Sequence, residues 1–416
     1  MEGRKLRQKT AVLMALVLAM TAFSPQAGVI ANLPDALVMY VGDETCVEVS
    51  TTLSAELAER DSPVIEALDR KDGDSVSLKA GQEAGTAEVV FRLLGLVPVK
   101  TMTVTVAPSK LLIPGGRSLG VAIETPGVMV VGASDLGNTV SPAHRAGIRA
   151  GDLIERVDGT EIHSAEELSQ CVKGSDPVQV SLLRDGESVE CRVAPEADPR
   201  DGVYRLGVWV RENTAGVGTL TYYDPADSGF GALGHAITDM DTGAVFPVGE
   251  GAVYDNTVVQ IVRGEEGNPG ELTGAFFEEQ RQLGEIERNT DSGIFGTGNP
   301  EMISDSLYPE GLPIAARQDV HTGDAQILST IEGKNIQAYD CCIEKLYTQN
   351  AESTRCMMLR ITDPTLLEQT GGIVQGMSGS PIIQDGKIVG AVTHVLVNDP
   401  ARGYGIFIEN MLDAAG

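Results

Sequence analysis

Gly376-Met377-Ser378-Gly379-Ser380-Pro381 sets one serine between two glycines and closes on a proline. Glycine tolerates backbone angles that other residues resist. A serine held this way can project from a tight turn, and the N–H groups of Ser378 and Gly376 are left to meet a developing oxyanion. Pro381 leads into Ile382-Ile383. The turn Asp385-Gly386 then separates this run from the apolar stretch Ile388–Val395. That is a strand, a tight turn and a second strand. A Gly/Ser turn alone is only a loop. With the strand pair behind it, Ser378 becomes a candidate nucleophile.

A serine hydroxyl needs a base, usually histidine. The chain has 5 histidines. His144 and His163 fall in a different module, and His321 sits in a turn after Gln318-Asp319-Val320. His235 lies among small residues in Phe230-Gly231-Ala232-Leu233-Gly234-His235, after the β-like run 219–223 and well before the serine. It is the favoured base, with His394, on the run after the nucleophile, as the alternative. For the acid that orients the imidazole, Asp363 in Ile361-Thr362-Asp363-Pro364 keeps the order His, Asp, Ser. Asp239 and Asp241 stand as alternatives, and Asp363 also suits a cap on the turn before Pro364.

Residues 201–416 contain many short strand-like runs, among them Val217–Tyr223, Thr257–Val262, Ile336–Ile343 and Cys356–Ile361. Such a series suits a pair of packed β-barrels. Residues 32–107 alternate with period two between Gly and Asp punctuation, as a small β-sandwich does. Residues 108–200 hold Ser141-Pro142-Ala143-His144-Arg145-Ala146-Gly147, then Gly151-Asp152-Leu153-Ile154 running to Asp158-Gly159, then Ala165-Glu166-Glu167-Leu168. This order resembles a PDZ domain. The resemblance implies a module that takes an extended peptide as an added strand. Ser118, Leu119, Gly120 and Val121 would then receive the peptide terminus, with Leu119 lining an apolar pocket.

At the N-terminus Arg4, Lys5, Arg7 and Lys9 precede the apolar run Ala11–Phe23. A basic flank followed by a short apolar run marks residues 1–31 as a signal peptide or membrane anchor. The formal net charge of −28 argues against nucleic-acid partners, which demand Lys and Arg. No HExxH, P-loop or Cys/His ligand spacing occurs, so no metal or cofactor is expected. The 6 cysteines leave two disulfides open, Cys171–Cys191 and Cys342–Cys356, beside an equal reading as free thiols.

The fold class expected is mainly β: an N-terminal β-sandwich-like domain, a PDZ domain and a trypsin-like double β-barrel peptidase domain. The Ser378 turn resembles that of trypsin-like serine peptidases. With the export segment, the PDZ unit, Gly234-His235 and the tail Gly403-Tyr404-Gly405-Ile406-Phe407, the chain resembles more narrowly the SpoIVB peptidase family. That resemblance implies an exported regulatory endopeptidase of sporulation that acts in the space between forespore and mother-cell membranes. It would cut itself and then a membrane-bound regulator of an intramembrane protease. The competing readings are an HtrA-like quality-control protease and a non-catalytic PDZ adaptor.

Overall fold

The structure is a computed structural model that describes residues 25–59, 62–71, 74–275, 281–347 and 354–416. The basic flank and apolar run expected to form a signal peptide or anchor lie outside these residues. No described helix is long and apolar enough to cross a membrane.

The period-two alternation in residues 36–107 folds into two sheets. Ala36–Tyr40, Val97–Ala107, Gly85–Leu93 and Leu53–Leu57 form one, and Glu44–Glu48, Ser75–Ala80 and Ile65–Lys71 the other. Phe91, Met102 and Val104 from the first sheet and Val47, Val76 and Leu78 from the second fill a common core. This sandwich, with Ala316–Val320, is one compact unit; Leu111–Ala315 with His321–Gly416 is the other.

The second unit carries the site. The strands that build its barrels and its PDZ sheet, in chain order, begin with β1 (Ser118–Ala133), β2 (Leu153–Val157), β3 (Val178–Arg184), β4 (Glu187–Val193), β5 (Val208–Tyr223) and β6 (Gly229–Ala232). There follow β7 (Glu250–Asp255), β8 (Gln282–Thr290), β9 (Gly293–Gly298), β10 (Gly323–Thr330), β11 (Ile336–Leu346) and β12 (Met357–Ile361). The last three are β13 (Pro381–Gln384), β14 (Lys387–Leu396) and β15 (Asp399–Phe407).

Two barrels emerge. In the first, β1 pairs with β5 and β7, and the circuit closes through β6, β9 and β8. Leu119, Val121, Leu220, Phe230, Val253 and Ile294 fill its interior. The second is a closed barrel in the order β10, β11, β12, β15, β14, β13. Closure leaves these short strands without open edges.

The PDZ fold is nested within the first barrel rather than placed before it. The first half of β1 belongs to the barrel, while its second half pairs with β2, and β3 and β4 extend that sheet. The chain returns along β5, whose first residues, Val208–Arg211, pair with Met129–Ala133 of β1. Beyond a register shift between Arg211 and Asn213, the rest of β5 joins the barrel. β1 and β5 are 16 residues each, roughly 50 Å of extended chain, which is long enough to serve two cores in succession. The expected division at residue 200 therefore moves. Residues 118–124 already belong to the peptidase barrel, and Val208–Arg211 belong to the PDZ sheet.

Local chemistry explains the PDZ helices. Ser141 caps α1 (Pro142–Arg145) by accepting from His144 N–H at 3.1 Å, with Pro142 in the first turn. Ser164 caps α2 (Ala165–Cys171) by accepting from Glu167 N–H, and the Glu167 carboxylate accepts from His163 N–H. The second differs from a capping box in that Glu167 reaches one residue past the N-cap, to His163 N–H. None of the six cysteines is in a disulfide bond. The strand register sets Cys342 opposite Arg360 and Cys191 opposite Val180, so neither expected pair is joined.

Candidate active site

The nucleophile turn is held from both barrels. Gly376 and Gly379 have φ of 97° and 96°, the left-handed region that glycine occupies without strain. A Cβ on Gly379 would stand 2.1 Å from Thr219 O and 2.5 Å from Leu233 N. From β5, Thr219 N–H donates to Ser378 O at 2.9 Å, and the hydroxyls of Thr219 and Thr221 donate to Gly376 O and Gly379 O at 2.8 and 2.7 Å. From β14, Val392 O accepts from Gly379 N–H at 2.7 Å. The N–H groups of Gly376 and Ser378 have no acceptor among the described residues. They are the two donors expected at an oxyanion site.

Ser378, Gly376, His235, Thr393 and His394 line one cleft of about 1080 Å³. His235 follows β6 after two residues in the left-handed region, Leu233 (φ 69°) and Gly234 (φ 71°). This bend turns the chain out of the first barrel against the second: a Cβ on Gly234 would meet Thr393 Cγ2 at 3.0 Å. Asn289, on β8, then fixes the next segment. Its side chain accepts from Ile237 N–H and donates to Ile237 O and Phe246 O.

His235 Nδ1 lies 2.8 Å from Ala236 O. A carbonyl only accepts, so Nδ1 carries the proton and Nε2 keeps a lone pair, the tautomer a general base needs. Burial holds the His235 pKa below the usual imidazole value, against the opposing pull of the Ala236 carbonyl. The His394 ring packs 5.2 Å from the His235 ring. Its pKa is pushed down to about 4, first by burial and then by repulsion from His235 and Arg355. Both imidazoles are therefore neutral at pH 7. Ser378 Oγ donates to Thr393 O at 2.9 Å. Catalysis requires that hydroxyl to turn from Thr393 O towards an imidazole lone pair.

The acid expected from chain order makes a local bond. The Asp363 carboxylate accepts from Leu366 N–H at 2.9 Å and caps α3 (Pro364–Thr370). A local cap satisfies an orphan helix donor, and here it engages the side chain that chain order suggested for His235. Asp239 and Asp241 are engaged too. Asp239 is buried, pairs with Arg211 and accepts from Thr242 N–H and Oγ1–H, while Asp241 pairs with Arg211 at 2.8 Å. No carboxylate bonds His235 among the described residues. His321 pairs with Asp385 in an exposed turn.

Ser118, Leu119, Gly120 and Val121 are not a peptide-receiving loop. They are buried in β1, with β5 on one side and β7 on the other. Ser118 Oγ accepts from Asn256 Nδ2–H at 2.7 Å. A strand with both neighbours filled cannot accept a third. The PDZ sheet is instead open at Val208–Glu212 of β5, which has no partner on its other side among the described residues. There it meets α2, where Ala165 N–H donates to the Glu212 carboxylate. Sequence inspection missed this edge because Leu206-Gly207-Val208 lies after the other PDZ motifs in the chain. It missed Thr219 and Thr221 because strand threonines carry no mark of what they hold.

The arrangement suits acyl transfer. In such a reaction Ser378 Oγ would attack a scissile carbonyl while His235 took its proton, and the N–H groups of Gly376 and Ser378 would meet the oxyanion; His235 would then protonate the leaving amine, and water would repeat the sequence to release the acyl group.

A model described as SpoIVB peptidase S55 matches residues 202–412, just over half of the chain, and a PDZ domain model matches 137–183. Among solved structures, the Rv3671c protease of M. tuberculosis in its active form is 17% identical, over 49% of this chain and 75% of that one, with a TM-score of 0.27. Its inactive form is 19% identical over 48% and 84%, with a TM-score of 0.26. The PDZ domain of the SdrC-like protein of Listeria monocytogenes is 24% identical over 20% and 87%, with a TM-score of 0.18. Its barrels, its nucleophile turn and the family match over its C-terminal half together make this chain a serine endopeptidase with a nested PDZ domain, and it belongs to the SpoIVB peptidase S55 family.

Proposed function

We propose that the enzyme is an exported or membrane-anchored regulatory endopeptidase of sporulation, one that cuts itself and then a membrane-bound regulator of an intramembrane protease. It works in the space between forespore and mother-cell membranes. The observation that carries this reading is the family match across residues 202–412, with Ser378 and His235 on one cleft. The basic flank and apolar run at the N-terminus support export. The open PDZ edge suits an extended peptide, whether from the target or from this chain.

The test is self-processing by the purified full-length chain. Wild type shortens with time, and Ser378→Ala stays full length while melting at a similar temperature. Adding wild type to the intact Ser378→Ala protein cuts it at the same bond, located by N-terminal sequencing. Equal shortening of Ser378→Ala on its own would defeat the self-cleavage reading.

A further inference from the structure

Four tight turns of this chain share one backbone, and one of them has the wrong residue. Asp158-Gly159, Asp185-Gly186 and Asp385-Gly386 set aspartates at φ of 49°, 51° and 51° before glycines at 78°, 83° and 75°. Two successive residues at positive φ suit the twist of a hairpin, and Asp-Gly or Asn-Gly is the usual pair. Leu94-Gly95, between the strands Gly85–Leu93 and Val97–Ala107 of the N-terminal sandwich, has the same angles, 51° and 73°. Leucine is strained there, because it lacks the short polar side chain that bonds locally in this region. No burial offsets the strain: Leu94 is 70% exposed, and Leu96 and Val97 beside it are 79% and 58% exposed.

The tip is also built to leave water. Leu93–Val99 carries no charge, although the chain holds 31 basic and 59 acidic residues. The adjoining Ser50-Thr51-Thr52 is uncharged too. Leu94 N–H donates to Thr52 O at 2.8 Å and Leu96 N–H to Leu93 O at 3.0 Å, and Pro98 has no N–H to satisfy. The nearest cations, Arg92 and Lys100 at the base of the hairpin, pair with Glu56 and Asp35. Entry into hydrocarbon would therefore strand few polar groups, which is what a lipid environment demands.

The course of the chain points to what the tip meets. Ala36–Tyr40 runs parallel to Val97–Ala107 with Ala36 opposite Thr103, and Asp35 O accepts from Thr103 N–H. The chain thus enters this sheet from the end where the tip lies, and in sequence it comes from the basic flank and the apolar run Ala11–Phe23. That run is shorter than the roughly 20 residues a span takes, and weak membrane anchors work in pairs. Resting on the reading above of an exported or anchored chain, we propose that the hairpin tip Leu94–Val97 is a second membrane contact, seated in the interface of the bilayer that holds the N-terminal segment. Leu94 is then kept at its turn for the lipid rather than for the fold.

The test uses the full-length chain with its one tryptophan removed by Trp209→Phe, and vesicles of equal parts phosphatidylglycerol and phosphatidylethanolamine with brominated acyl chains. Leu96→Trp should shift its emission to the blue on binding and lose about half or more of it to the bromines, as a side chain seated about 5–10 Å into the boundary of headgroups and acyl chains would. Gln82→Trp should do neither, since it lies just before Gly85, which pairs with Val106 at the opposite end of the hairpin. Chains that bind the vesicles while Leu96→Trp stays unquenched would overturn the tip contact and leave the N-terminal anchor standing. Chains that never bind would overturn both. A dimer in sedimentation that Leu96→Asp dissolves would overturn the proposal too, because the tip would then serve a second copy. A further measurement needs no membrane. Leu94→Asn should raise the urea midpoint, since asparagine tolerates this backbone. An equal or lower midpoint would show that leucine suits the turn for the fold's own sake, and would equally overturn the proposal.

Discussion

At its N-terminal end β5 is half exposed. Trp209 is 65% accessible, and Val208–Glu212 has no strand on its outer edge among the described residues. At its C-terminal end the six residues Gly218–Tyr223 are all buried, and Thr219 and Thr221 hold the backbone of the nucleophile turn. Between them Arg211 reaches from the PDZ side to Asp239 and Asp241, just past His235. One continuous strand is thus an open edge at one end and scaffolding for the Ser378 turn at the other. The contrast shows how a single element can be rigid in one stretch and open in another.

That contrast can be broken by substitution along and against the strand. The largest effect is expected at the buried end. Gly379→Val puts a branched side chain against Thr219 O and Leu233 N at a positive φ. It should cost on the order of 3 kcal/mol or more and abolish probe labelling, as read by chemical denaturation and fluorophosphonate reaction. Next comes Arg211→Ala, which strands the buried Asp239 carboxylate and should cost about 1–2 kcal/mol.

The same variant carries a pH signature. Burial raises the Asp239 pKa, but the bonds from Thr242, the charge of Arg211 and the Asp241 N–H outweigh it, and the net shift is downward. A lowered folded pKa means stability that is present above the unfolded value, near 3.9, and lost as pH falls through the folded one. Removing Arg211 should therefore start the acid loss at higher pH, measured by urea midpoints from pH 6 downward.

Thr219→Val should be milder, about 1 kcal/mol, for one buried hydrogen bond to Gly376 O. Its sharper signature should be slower labelling at unchanged secondary structure. Smallest of all, Trp209→Ala should change stability by no more than about 0.5 kcal/mol and leave labelling untouched. If Trp209→Ala proves as costly as Thr219→Val, the two ends of β5 are not different in kind.

What the sequence revealed tracks how local the physics is. Gly376–Pro381 could be recognised because a strained turn needs glycines within a few residues of the serine. His235 could be recognised because small residues surround a bend. Asp363 reads two ways because Asp-Pro after a strand is also a helix start, and in the structure its carboxylate makes the N-cap bond to Leu366 N–H. Thr219 and Thr221 were invisible for the opposite reason. Their place behind the nucleophile turn depends on β5 of the first barrel meeting the turn that leads into the second, a pairing no short window encodes. The nesting of the PDZ sheet stayed hidden likewise, because β1 and β5 pass from one core to the other without a break in their alternation.

The nested arrangement also dictates an order of assembly. As the chain is made, the first barrel strand emerges long before its partner in β5, and the whole PDZ fold is synthesised in between. Domains tend to fold as units during synthesis, and early closure of this insert brings the two distant barrel strands side by side, reducing the entropic penalty of joining them. The PDZ domain thereby becomes the clasp on which the peptidase closes. It cannot be clipped from either end of the chain, as a tandem domain could, without cutting through the barrel itself.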